Sequence, residues 1–391
     1  MVAVPANEKD DLRRVLDENG APLPGARIPS ISDATLSRMF EVMLLTRIID
    51  DRMSRLARDG GAAFYRKSIG EAASHFAAAP LRDSDWVFPS YREHGVWLWR
   101  GYSLQQYVDQ LLGNAGDPSK GRQTPTHHAA RWLNLVSISS PVGTQIPQAT
   151  GAAYAARAQG KDDVVMTFFG EAATSTGEFH VGMNFAAVWK APCVFVCRSN
   201  GWTGARRGAG RTFAYKALGY GMPGVRVDGN DALAVWQVAS EAIDRARGGG
   251  GPTLIEALTY RIQGHTSSGD PALYRKEDPP ENEPESPAAW QRRDPLRRLR
   301  GYLQHRALWS TAWEAEIAER CAQQVSDALA AAEDKPAPAV ETLFDDVYEQ
   351  LPWHLREQRA ELLALPRTSP RPSSSIDPST APVSADPGEP R

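Results

Sequence analysis

Two nearly unbroken apolar runs, "DVVMTFFG" at 163–170 and "APCVFVCR" at 191–198, constrain this chain more than any other feature. Each has the length of a strand, and neither alternates polar with apolar residues, so neither has a face suited to water. Between them lies "EFHVGMNFAAVWK", in which Phe179, Met183 and Ala187 recur at helical spacing. Strands without a wet face, joined by a helix, predict parallel neighbours covered on both sides. The pattern continues in "GVRVDG" at 224–229 and "PTLIEALTYRI" at 252–262, with the amphipathic "DALAVWQVASEAIDRAR" between them. Ala-rich "QATGAAYAARAQG" at 148–160 reads as a further helix. The expected class is α/β, a parallel sheet with helices on both faces.

The flanks read differently. Across 33–58, Leu36, Met39, Phe40, Met43, Leu44, Ile48 and Met53 follow helical spacing, with Ser32 or Asp33 placed to cap it. "SLQQYVDQLLG" is a second helix ending at Gly113, and mostly helices follow residue 290. Residues 1–30 are charged and punctuated by Pro and Gly, as in an arm without a core of its own. One domain over 31–365 is expected, with its α/β core at about 85–290 and helices at 290–365. The Pro/Ser-rich stretch 366–391 has the composition of a disordered tail.

The formal net charge of -3 gives no broad electrostatic surface for nucleic acid. No run approaches the roughly 20 apolar residues of a membrane span. The opening "MVAVPANEKDDLRR" lacks the apolar core of a secretory signal, so the chain is expected to be soluble and cytoplasmic, binding neither nucleic acid nor membrane. Cys193, Cys197 and Cys321 are too few for a disulfide framework or a four-ligand zinc site.

The two apolar runs end in polar clusters, Gly170-Glu171-Ala172 and Ser199-Asn200-Gly201. Open parallel sheets bind ligands beyond the carboxyl ends of their strands, and neighbouring strands bring Glu171 and Asn200 toward one point. A carboxylate and an amide oxygen are hard ligands suited to magnesium or calcium. Small residues at 170, 172 and 173 let backbone N–H groups approach an anion near a helix starting at about Thr176. A metal ion with a phosphate-bearing cofactor fits this arrangement. A plain strand-to-helix turn with Glu171 as the cap fits the spacing as well.

The stretch "GEAATSTGEFHVGMNFAAVWKAPCVFVCRSNGW" resembles the thiamine diphosphate signature of the α subunits of 2-oxo acid dehydrogenases. Further blocks in family order, from about Leu36 to Arg275, include "WVFPSYREHGVWLWRG", "GNAGDPSKGRQTPTHH", "ISSPVGTQIPQATGAAYA" and "IEALTYRIQGHTSSGDPALYR". The last is nearer the branched-chain type than the pyruvate type. The resemblance implies a thiamine diphosphate-binding fold in which Glu171, the Asn200 amide and the Trp202 backbone carbonyl hold magnesium. It implies that Tyr91, Arg92 and Arg198, with the backbone at Gly170, Ala172 and Ala173, hold the diphosphate. Ser140 and Val142 pack near the middle of the cofactor. Some members bind potassium on this loop, which implicates Ser139, Pro141, Thr144 and Gln145. His265 matches the family's active-site histidine, and Arg261 a neighbouring basic residue. His127 and His128 carry a weaker match near the site entrance. Asp228 and Asp231 read as braces of the "VDGND" turn.

The activity implied is oxidative decarboxylation of a branched-chain 2-oxo acid, followed by acylation of a lipoyl group. A β subunit must then supply the glutamate that activates the cofactor, in an α2β2 heterotetramer. The acyl acceptor is the lipoyl domain of a dihydrolipoyl acyltransferase core. Pyruvate or acetoin as substrate is one competing reading, and a diverged, weakly catalytic structural or regulatory subunit is another. Departures from the family pattern motivate the last. Ala172 replaces a glycine, Ser199 an asparagine and Gly269 an aspartate, and "TGARRGAGRTFAYKALGYG" at 203–221 is basic where relatives are acidic.

Overall fold

The computed structural model describes residues 12–200, 212–262 and 286–365. One sheet contains six parallel strands: β1 (Leu12–Arg13), β2 (Trp86–Phe88), β3 (Val165–Gly170), β4 (Cys193–Ser199), β5 (Gly224–Asp228) and β6 (Thr253–Leu258). Their order is β1-β5-β6-β4-β3-β2. The helices, in chain order, are α1 (Asp33–Arg58), α2 (His94–Trp99), α3 (Leu104–Leu112), α4 (Gln145–Ala158) and α5 (Gly177–Val188). They continue with α6 (Ala232–Arg247), α7 (Pro287–Arg292), α8 (Pro295–His305), α9 (Thr311–Glu333) and α10 (Trp353–Ala364).

The burial of β4 explains why its sequence shows no alternation. All seven of its residues are buried. Val194 and Val196 join a core with residues of α1, α3, α6, α8 and α9. Phe195 and the Cys193 and Cys197 thiols join a second core with α4 and α5. Two covered faces require apolar side chains at both parities of the pleat. All three cysteines are free and buried.

Local signals set the helix ends. Ser32 accepts a hydrogen bond from the Thr35 N–H at 3.1 Å, and α3 stops at Gly113 in the left-handed conformation, φ 63°. No described helix is long and apolar enough to cross a membrane.

The sheet holds two strands that the apolar pattern does not predict. β2 has three residues and β1 two, too few for any periodicity to register. The part of the 1–30 arm that is described packs onto the domain's core rather than forming one of its own. Leu12 and Arg13 pair with Arg226 and Val227 of β5, and Val15 and Leu16 are buried in the main core. A single carboxylate secures this segment. Asp231 Oδ2 accepts the Val15 and Leu16 N–H groups, each at 2.7 Å, while Oδ1 accepts those of Leu233 and Ala234 at the start of α6. Asp228 pairs with buried Arg298 at 2.8 Å, and Arg298 Nε donates to the Asp17 carbonyl at 2.7 Å. Both aspartates brace the turn, as expected.

Replacing Asp231 with Ala strips four backbone N–H groups of their acceptor. The expected result is a loss of roughly 3 kcal/mol, given about 1–3 kcal/mol per orphaned buried donor and partial relaxation, read as a fall in the denaturant midpoint.

Candidate active site

The pairing of β3 with β4 positions the centre of the site. Gly170 lies opposite Arg198, so Glu171 and Asn200 leave the sheet side by side at its carboxyl edge. The Asn200 N–H points to Glu171 Oε2 at 3.4 Å. The two residues do converge. Residues Glu171–Ser175 form a single 3-10 turn before α5. Thr176 caps that helix, its hydroxyl accepting from the Phe179 N–H at 3.3 Å, so the helix cap is not Glu171.

Behind this pair lies a buried cluster of charge. Glu71 is fully buried, and its Oε1 accepts from Asn200 Nδ2 at 2.9 Å and from the Thr259 hydroxyl at 3.3 Å. A carboxylate can only accept, so this contact identifies the amide nitrogen and turns the Asn200 oxygen to the other side. Arg198 reaches Glu93 at 2.7 Å and Ser90 at 3.1 Å, and its Nη1 lies 3.6 Å from Glu71 Oε2. Burial alone would raise the Glu71 carboxyl, but Arg198, Arg261 and Arg92 together bring it below its ordinary value. Burial likewise opposes the charge on Arg198, yet Glu93 and Glu71 hold its pKa above normal. Arg261, buried and repelled by Arg92, falls to about 10 despite the attraction of Glu71. Formally, Arg92, Arg198 and Arg261 balance Glu71, Glu93 and Glu171.

A cleft opens beside the cluster, lined by Tyr91, Ser140, Val142, Gly143, Gly170 and Ala173. Gly143 is required there: its φ is +94°, and a Cβ would come within 2.6 Å of the Thr176 hydroxyl. Gly170 faces open space, since a Cβ built on it meets nothing within 4 Å. Ala172 has no left-handed backbone, so the methyl that replaces the family's glycine carries no strain. Ser139, Pro141 and Gln145 line the same cleft, and the Thr144 hydroxyl donates to the Pro141 carbonyl at 3.1 Å. Gln145 Nε2 donates to Phe168 O at 2.8 Å. His127 Nε2 lies 2.8 Å from the Ser140 hydroxyl, while its Nδ1 is 3.1 Å from the Pro125 carbonyl. A proton on Nδ1 satisfies that carbonyl, which leaves Nε2 to accept from Ser140. Trp202 and His265 lie outside the described residues, as do 203–211 of the basic loop. Of its remainder, Lys216 ties the loop to the site by donating to Thr174 O at 2.8 Å.

The residues present fit a diphosphate with a divalent cation. Arg198 Nε and Nη1 are buried without a hydrogen-bond acceptor, as an anion-binding group is before its anion arrives. Among the described residues, no three His, Cys, Asp or Glu side chains gather to hold a metal. A cation at Glu171 and Asn200 would draw its remaining ligands from elsewhere, and phosphate oxygens and waters are the usual ones for magnesium. Sequence reasoning missed Glu71 and Glu93. A signal existed for Glu71: the tetrapeptide Gly-Glu-Ala-Ala occurs at both 70–73 and 170–173. Each copy puts a buried glutamate at the start of a 3-10 turn.

Beneath Tyr91 and Arg92 lies a second buried network. His94 Nε2 donates to the Arg66 carbonyl at 2.7 Å, and the Tyr107 hydroxyl donates to His94 Nδ1 at 2.6 Å, so the ring is held neutral. Burial lowers the His94 pKa to about 4. Asp50, 3.9 Å from His94, is raised by burial to about 7 despite bonds from Ser68 and Tyr65. The two contribute to stability with opposite sign. His94 stability is complete above 6.5 and lost as pH falls toward 4, whereas Asp50 stability is complete below 3.8 and lost as pH rises through 7. Relative to wild type, His94→Gln is expected to recover about 3 kcal/mol between pH 6.5 and 4. Asp50→Asn is expected to lose about 4 kcal/mol over pH 7 to 4. Denaturation midpoints measured across this range check both.

Residues 40–341 match the family model described as "Dehydrogenase E1 component". The chain is 38% identical over 366 residues to "2-oxoisovalerate dehydrogenase subunit alpha 1, mitochondrial" of Arabidopsis thaliana, which covers 92% of this chain and 76% of that protein. It is 38% identical over 355 residues to the mitochondrial 2-oxoisovalerate dehydrogenase subunit alpha of Mus musculus and of Homo sapiens. Those matches cover 89% of this chain and 79% and 78% of the two proteins. The mitochondrial designation of these relatives overturns the cytoplasmic expectation. An opening without an apolar run does not decide the compartment. The chain belongs to the dehydrogenase E1 component family.

Proposed function

We propose that this chain is the α subunit of a thiamine diphosphate-dependent 2-oxo acid dehydrogenase of the branched-chain type. It performs the oxidative decarboxylation of a branched 2-oxo acid and passes the acyl group to a lipoyl domain. The observation that carries this reading is the meeting of Glu171 and Asn200 beside buried Arg198 at the carboxyl edge of the sheet. The name 2-oxoisovalerate dehydrogenase, borne by the relatives, favours a branched substrate over pyruvate or acetoin.

Bound thiamine diphosphate supplies a nucleophilic carbon and an electron sink that side chains lack. The chain's own residues bind and orient. Glu171 and the Asn200 oxygen hold magnesium, with the Trp202 carbonyl as third protein ligand, and Glu71 keeps the amide turned correctly. Arg198, Arg92 and Tyr91 hold the diphosphate, with N–H groups at Gly170, Ala172 and Ala173. Arginine suits this task because its charge is permanent and its planar fork matches phosphate oxygens. Ser140 and Val142 form the cleft wall, and Ser139, Pro141, Thr144 and Gln145 hold potassium. By the resemblance, His265 would handle a proton near the reacting carbon, and Arg261 is the family's neighbouring basic residue. A β subunit completes the site in an α2β2 assembly, and a dihydrolipoyl acyltransferase core accepts the acyl group.

Calorimetry of co-purified α and β chains with thiamine diphosphate and excess magnesium tests this. Glu171→Ala and Asn200→Ala are expected to weaken binding by more than about 100-fold, beyond the range typical of outer-shell changes. Unaltered binding in both variants, or robust turnover by the α chain alone, would falsify the assignment.

A further inference from the structure

The segment before Glu71 carries a cation that the charge balance above does not use. Its backbone is anchored at three successive residues. The Arg66 carbonyl accepts from His94, the Lys67 carbonyl accepts from Arg92 Nη1 at 2.6 Å, and the Ser68 N–H donates to Asp50 at 2.9 Å. The Arg66 guanidinium carbon lies 4.4 Å from the centre of the Tyr91 ring and 4.6 Å from that of Phe64. This half-buried side chain is therefore fixed at its root and laid over two aromatic faces.

Its Nε and Nη1 atoms are buried and hydrogen-bonded to nothing. Burial lowers its pKa, an effect that Tyr91 opposes and the like charge of Arg92 reinforces. Arg92, Arg198 and Arg261 are matched by Glu71, Glu93 and Glu171, whereas Arg66 forms no ion pair among the described residues. Ring contacts reward the charge weakly, whereas a buried donor without an acceptor keeps the full penalty of its lost hydration. The rings supply no acceptor for either donor, and the charge is desolvated as well. An anion would offset these penalties, and the Tyr91 ring on which the guanidinium lies borders a cleft. Tyr91 lines the cleft with Gly170 and Ala173, and the Arg66 charge is also felt at His127, the residue that holds Ser140.

We propose that Arg66 is an oxyanion-binding residue of this cleft, taking either the carboxylate of the 2-oxo acid or the outer phosphate of the cofactor beside Tyr91. The two sources present the same chemistry to a guanidinium. This inference rests on the function proposed above, and it adds a contact that none of the resemblance-derived residues supplies.

The test uses Arg66→Met and Arg66→Lys in the co-purified α and β chains. Two quantities are read: the Kd for thiamine diphosphate with magnesium, and the KM and kcat for 2-oxoisovalerate. Arg66→Met is expected to raise either Kd or KM by about ten-fold, equivalent to roughly 1.4 kcal/mol, with kcat little changed. Arg66→Lys is expected to recover part of the loss, and the parameter that moves identifies the source of the oxyanion. Stabilisation of the full chain against heat, by inorganic pyrophosphate and by 2-oxoisovalerate, reads the same residue without turnover. Should Arg66→Met not fold, Arg66→Gln carries the same test with a neutral side chain of similar reach. Unchanged Kd, KM and thermal stabilisation in the neutral variant overturn the proposal. Failure of the wild-type protein to bind the cofactor overturns instead the reading on which it rests.

Discussion

Everything at the site depends on the in-register parallel pairing of β3 with β4. With Gly170 opposite Arg198, the residues just beyond emerge at one edge, and the Glu171 carboxylate comes within hydrogen-bond distance of the Asn200 backbone N–H. The side-chain period of a strand is two, so a slip of one residue would exchange its faces. Arg198 would then turn away from Glu93, and Cys197 would leave the apolar layer under α4 and α5. Dense apolar packing on both faces of β4 excludes that slip. The core thus sets the position of the polar edge.

The second requirement is electrostatic. A buried guanidinium or carboxylate is tolerated only when its field is answered nearby, because the desolvation of one ion costs several kcal/mol. Here three carboxylates answer three guanidinium groups within a single cluster, and Asn200 is drawn into it through Glu71. The arrangement holds permanent positive charge at the edge of the sheet without a gross excess of it. An enclosed site built this way presents fixed dipoles and charges to an anion with little reorganisation on binding.

Much of this was legible in the sequence, and the failures have physical causes. Strands β3 to β6 and helices α1, α3, α4, α5 and α6 declared themselves because each is long enough to repeat its period. Ser32 and Gly113 marked helix ends by chemistry specific to caps. Glu171 and Asn200 were found because strand topology dictates where strand ends lie. By contrast, β1 and β2 are too short to carry a pattern, and only the finished sheet reveals them. Glu71 and Glu93 stood in segments where a lone acid reads as solvent-facing, and their burial follows from distant arginines.

The double attachment of Asp231 has a consequence for how the chain assembles. Its acceptors lie 216 and 215 positions after the amides of Val15 and Leu16, and Arg298 grips the same early segment from still later. As the polypeptide leaves the ribosome, the first strand therefore has no docking partner until more than half the chain has followed it. Its apolar residues stay uncovered throughout that interval. Nascent chains are thus exposed to misassociation along this early strand until its partner is made, and that edge of the sheet closes among the last.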